Sequence, residues 1–203
     1  TEKVCAIGHA NGWDVWIVMH EMNGSRLRSY LLSDSGVGVD RYVLSEIGAR
    51  WGTGNRKFWS TDIMGCMKAT PSGTLIVAAR GHFLEFFRFS PSTGQVTSLF
   101  TIPAFDFPLG NSWTYGVEFS LNEEVLYVTT FYDAPSAEYG KSFLFQYDIS
   151  VLDTTRIKAS CRVLDSIYTR IGTWPPFYPV FGTLQMAPNG KIYGAIGRAI
   201  GPI

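Results

Sequence analysis

Apolar residues fall in short alternating runs, broken again and again by Gly, Pro, Asn and Ser. Val15-Trp16-Ile17-Val18-Met19, Leu75-Ile76-Val77, Val125-Leu126-Tyr127-Val128 and Phe143-Leu144-Phe145-Gln146-Tyr147 are β-branched or aromatic runs of strand length. Such runs predict strands. No amphipathic stretch of about ten residues carries helix caps, and Ser150–Ile157 is the best helical candidate. The pattern predicts an all-β chain.

Comparing the chain with itself gives more. Cys5–Gly12, Cys66–Gly73, Gly116–Glu123 and Thr183–Gly190 share a scheme of short strand, tight turn and more apolar strand. His9, Thr70, Ser120 and Ala187 stand before the turn, spaced 61, 50 and 67 residues apart. Pro71 and Pro188 preset φ at the next place, and Gly12, Gly73 and Gly190 supply positive φ where the turn closes. Glu123 stands where glycine is expected, so the third turn should differ in detail.

A second hairpin usually follows. Arg26–Leu32 leads through Ser33-Asp34-Ser35-Gly36 to Arg41–Ser45, and Leu84–Phe89 through Ser90–Gly94 to Gln95–Phe100. Phe143–Ile149 leads to a looser return near Ala159–Leu164. Four strands at a period of about 50–65 residues predict radial repetition of four-stranded sheets. The expected fold is a β-propeller fragment of about three and a half blades, part of a larger ring. Its blades run approximately 1–48, 57–103, 113–165 and 180–203. A Greek-key sandwich competes, but it does not require the same turn chemistry to recur at corresponding places.

Composition narrows the picture. Of 203 residues 46% are apolar and 17% charged, enough apolar surface to offset the entropy of folding. Seventeen basic and seventeen acidic residues cancel. No field therefore draws in nucleic acid, and no apolar run reaches the ~18 residues of a membrane span. Cys5, Cys66 and Cys161 show no metal-ligand spacing, and their odd number argues against a full disulfide framework. They read as packing residues. The chain opens at Thr1 without a basic or apolar leader and closes at Ile203 after an apolar stretch. Both ends are therefore expected to be cut from a longer chain, whose remaining blades would be partners.

The four units resemble lactonase-like and YVTN-type β-propellers. The likeness rests on Thr70-Pro71-Ser72-Gly73 with Phe87-Arg88-Phe89 and Thr93-Gly94, on Ala187-Pro188-Asn189-Gly190 with Lys191-Ile192-Tyr193, and on Gln146-Tyr147-Asp148-Ile149. The opening His9-Ala10-Asn11-Gly12-Trp13-Asp14-Val15-Trp16-Ile17-Val18-Met19-His20, with Ser29-Tyr30-Leu31-Leu32, is similar to propeller regions of secreted Bacteroidota surface proteins that use type IX secretion or gliding-motility sorting. That resemblance implies an exported or cell-surface protein in which the propeller is an interaction module.

Candidate chemistry is sparse. No phosphate-binding glycine loop and no Gly-x-Ser-x-Gly occurs, so neither a nucleotide enzyme nor a serine hydrolase is indicated. His9, His20 and His82 read as turn or surface residues. His9 sits near Trp13, Asp14 and Trp16, where aromatic rings beside a charge can stack on a sugar or peptide; alternatively Trp13 and Trp16 pack between blades. Ile7, Lys68, Glu118 and Gln185 take equivalent places on the innermost strands. The three polar ones would line a central channel, or Lys68 and Glu118 would pair between blades. A lysine in such a row disfavours a metal, and no cofactor is implied. Trp59, Trp113 and Trp174 mark proline-stiffened connections between units, either a binding face or a cap.

The reading favoured is a non-enzymatic module that binds protein or glycan through aromatic loops on one propeller face. The alternative is a lactonase-like hydrolase acting at the channel, with Glu118 as base or ligand. A structural spacer is a third.

Overall fold

A computed structural model of the protein describes residues 3–21, 24–47, 64–103, 112–132, 139–170 and 177–200. The described residues are almost wholly strand. β1 (Val4–Gly8), β2 (Val15–His20), β3 (Arg26–Ser33) and β4 (Gly36–Glu46) form one antiparallel meander. β5 (Met67–Ala69), β6 (Leu75–Arg80), β7 (Phe83–Phe89) and β8 (Val96–Pro103) form a second. β9 (Ser112–Phe119), β10 (Val125–Tyr132) and β11 (Tyr139–Asp148) are followed by α1 (Thr154–Ala159) and by β12 (Arg162–Arg170), which completes the third. β13 (Phe177–Met186) and β14 (Ile192–Ile200) pair alone. The chain is a β-propeller fragment of three and a half blades.

It divides into two compact units, residues 1–80 with 84–101 and residues 81–83 with 102–203. In the first, Ile7, Trp16, Val18 and Leu27 of blade 1 interdigitate with Met67, Ile76, Ala78, Phe87, Phe89 and Val96 of blade 2. Along β2, Trp16, Val18 and His20 are buried while Ile17 and Met19 face the other way, as a period of two requires. Each large apolar side chain so buried contributes roughly 1.5–3 kcal/mol.

In the second unit the blades approach through backbone. A Cβ on Gly116 would stand 2.5 Å from the Gly182 carbonyl oxygen, so only glycine allows this approach. Thr129 Oγ1 accepts from the Gly116 amide at 2.8 Å and donates to the Gly182 carbonyl at 2.8 Å. Ser142 Oγ donates to the Thr130 carbonyl at 2.8 Å and accepts from the Phe181 amide at 2.9 Å. Buried backbone groups of the two blades are thus satisfied across the junction.

The repeated turns share one geometry. The amides of Gly12, Gly73, Glu123 and Gly190 donate to the carbonyls of His9, Thr70, Ser120 and Ala187 at 3.0, 2.8, 3.0 and 2.9 Å. Glu123 adopts φ 62°, close to the 72–80° of the three glycines. The third turn therefore differs in residue type and not in shape, contrary to the sequence expectation. Left-handed geometry costs a non-glycine residue about 1–2 kcal/mol.

The helix falls late in its predicted window. Asp153 caps it, its Oδ1 accepting from the Arg156 amide at 2.9 Å, and Ile157 is its buried residue. Six residues spent there delay the return strand to Arg162. All three cysteines are free thiols. His20, expected at the surface, is 3% exposed, because the alternation of β2 carries it inward after Trp16 and Val18.

Candidate functional site

The turn between β1 and β2 is held from below by blade 2. Pro91, in the β7–β8 turn, uses its carbonyl oxygen to accept from the Ala10 amide at 3.1 Å and from the Trp16 indole N–H at 2.8 Å. The Trp16 ring lies over Gly94, where a Cβ would meet it at 2.7 Å, and it stands 5.5 Å from the His9 ring. His9 Nδ1 accepts from the Asn11 amide at 3.0 Å. His9 and Trp16 therefore build the turn rather than reach out of it.

Asn11 shapes what lies above. Its Oδ1 accepts from the amides of Trp13 and Asp14 at 3.1 and 3.0 Å, and its Nδ2 donates to Asp14 Oδ2 at 2.8 Å. An asparagine that satisfies two successive amides fixes the local backbone without a helix or ladder. The residue so presented is Trp13, 89% exposed. An indole this exposed forgoes the burial that would normally reward it.

Trp13 stands over an open cleft of about 760 Å³. Asn11, Asp14 and Val15 line one side, and Leu32, Ser33 and Asp34 line the other. The two sides meet because Val15 pairs with Leu32 in the β2–β3 register and the meander brings the β1–β2 and β3–β4 turns to one end of the blade. Gly36, at φ 94°, closes the turn that carries Asp34. Ser33 Oγ is engaged with Ser35 Oγ at 2.8 Å.

The other sequence-predicted residues lie elsewhere. Lys68, half-buried on β5, stands near the Cys5 thiol, whose pKa burial pushes up to about 12 against the pull of the Lys68 charge. Glu118 is 5% exposed on β9; its Oε1 accepts from the Phe119 amide at 3.0 Å and its Oε2 from the Met186 amide at 2.9 Å. It ties blade 3 to blade 4. Gln185 is exposed and donates to the Met186 carbonyl at 3.0 Å. Trp113 is half-buried with its ring 5.4 Å from His82, edge to face. Trp59 and Trp174 lie outside the described residues. Lys68 belongs to one unit and Glu118 with Gln185 to the other.

Among the described members of the predicted set, His9 and Trp13 share one turn, and Glu118 and Gln185 meet at the Met186 backbone. β4 ends at Glu46, at the end of blade 1 away from the Trp13 turn. Sequence reasoning missed Asp34. Its signal was the Ser-Asp-Ser-Gly turn, which becomes informative only once the strand register is known. Among the described residues, no group of three His, Cys, Asp or Glu side chains could hold a metal, and no helix is long and apolar enough to cross a membrane.

No protein-family model and no curated protein matches the sequence. Solved structures similar to it include a candidate 6-phosphogluconolactonase from Bacteroides uniformis, at 12% identity and TM-score 0.48, covering 95% of this chain and 47% of that one. Hydrazine synthase from Kuenenia stuttgartiensis is similar at 11% identity and TM-score 0.45, over 94% and 42% of the two chains. Hsv2 from Kluyveromyces lactis is similar at 9% identity and TM-score 0.44, over 98% and 62%. The chain spans about half the length of these proteins.

Proposed function

We propose that the chain is a non-enzymatic binding module of an exported or cell-surface protein, and that it engages a protein or glycan ligand at the Trp13 end of blade 1. The observation that carries this reading is Trp13 itself, 89% exposed beside an open cleft, on backbone that Asn11 fixes through the Trp13 amide. A large aromatic ring on fixed backbone gives contact area while only its two side-chain torsions need ordering. The hydrolase alternative is weakened by Glu118, whose two oxygens each accept a backbone amide and which is buried at a blade junction. A general base needs a lone pair within reach of its substrate.

The test is a screen of the protein against arrayed glycans and envelope proteins, repeated with Trp13→Ala. Trp13 packs so little that the variant should keep its unfolding midpoint, while at least one interaction is lost. If every detected interaction survives the substitution, the site is wrong.

A further inference from the structure

We infer that the Trp13 cleft receives a cationic side chain, so that its partner is a protein segment bearing arginine or lysine. This rests on the reading of the Trp13 end as the binding surface and names what that surface takes.

The argument is one of donors and acceptors. Asp14 and Asp34 give the cleft two carboxylates, and its lining includes no Lys, Arg or His. Among the described residues Asp34 makes no hydrogen bond or ion pair, and Asp14 spends Oδ2 on the Asn11 amide group while Oδ1 stays open. Of the lining side-chain donors, Asn11 Nδ2 gives one of its two hydrogens to Asp14, and Ser33 Oγ shares a hydrogen bond with Ser35 Oγ. What sets this lining apart is its charge: two carboxylates with no cationic side chain beside them.

A neutral sugar would leave both carboxylate charges uncompensated, whereas a cation answers them. Guanidinium and ammonium groups only donate. The indole face attracts a cation lying on it, and a planar guanidinium can stack there while it donates to a carboxylate. The floor fits the rest of the side chain. Val15 and Leu32, paired across β2 and β3, offer an apolar strip for the methylene stem below the charged head. The protein's charges cancel overall, so the cleft's negative charge is a local feature and not the reflection of an acidic protein.

Titration calorimetry with hexa-arginine, hexa-glutamate and cellohexaose, on the unaltered protein, Trp13→Ala and Asp34→Asn, tests this. Hexa-arginine should bind and hexa-glutamate should not. Asp34→Asn should weaken hexa-arginine about threefold to fivefold, and Trp13→Ala by at least as much. Raising salt from about 50 to about 500 mM should weaken it further. Hexa-arginine binding that is indifferent to both substitutions overturns the inference. Cellohexaose binding that is lost in Trp13→Ala, with hexa-arginine silent, also overturns it yet leaves the Trp13 surface standing as a binding site. If neither probe nor any partner from the screen responds to Trp13→Ala, both readings fall together.

Discussion

Acid should loosen the first unit through His20. The imidazole is 3% exposed, and its Nδ1–H donates to the Glu21 carbonyl at 2.6 Å. Burial disfavours the charged ring most. The nearby Lys3 and Arg80 charges add to that, while the Glu21 carbonyl and carboxylate pull the other way, and the outcome is a pKa lowered to about 4. The surroundings cannot absorb another cation. Lys3 is fully buried with Nζ donating to the Met64 carbonyl at 2.5 Å, and Arg80 already pairs with buried Glu85 at 3.3 Å.

In the unfolded chain the same ring titrates near 6.5. Between that value and 4 the unfolded state binds the extra proton, so stability falls as pH falls. The His20 contribution is complete above about pH 7 and declines by about 1.4 kcal/mol per pH unit below 6.5. It is gone near pH 4, a total of about 3 kcal/mol. Urea unfolding at pH 8, 7, 6, 5 and 4, followed by tryptophan fluorescence, measures the decline. Carboxylates contribute to acid unfolding as well, so the informative quantity is the difference between the protein and His20→Gln. Whatever their difference at pH 8, the protein should lose about 3 kcal/mol relative to the variant by pH 4. Parallel stability curves across the whole range would refute the assignment.

Gly116→Ala should cost about 2–3 kcal/mol, since the added carbon meets the Gly182 carbonyl oxygen and the blades must part; an unchanged unfolding midpoint in urea would contradict the close approach. Glu123→Gly should raise stability by about 0.5–1 kcal/mol, the left-handed strain relieved less the added freedom of the unfolded chain. A loss in the same assay would show that the Glu123 side chain matters more than its backbone. Cys5, with its pKa pushed up to about 12 by burial, should resist maleimide at pH 8 in the folded protein and react in urea, as read by peptide mass mapping.

Repetition made the blades legible in the sequence, because each blade begins with the same turn and a turn's geometry restricts its residues. Pro71, Gly73, Pro188 and Gly190 advertise it, and even Glu123 could be placed by its neighbours, though not its φ. The burial of His20 was also within reach: it continues the inward alternation of Trp16 and Val18. Trp13 and Trp16 show where such local reasoning ends. They are three residues apart and chemically alike, yet one is 89% exposed and the other 6%. What separates them is the Pro91 carbonyl and the Gly94 gap, both supplied by a blade 75 or more residues away. Glu118 is the same case. It is one polar residue in a repeated row, and the row does not show that its oxygens accept from the Phe119 amide beside it and from the Met186 amide 68 residues on. A carboxylate that satisfies amides at a blade junction and one that lines a channel draw on the same residue type and the same strand position. Only the stacking of blade 3 on blade 4 tells them apart, and stacking is fixed by side-chain volume and close backbone approach at Gly116, not by the identity of the row.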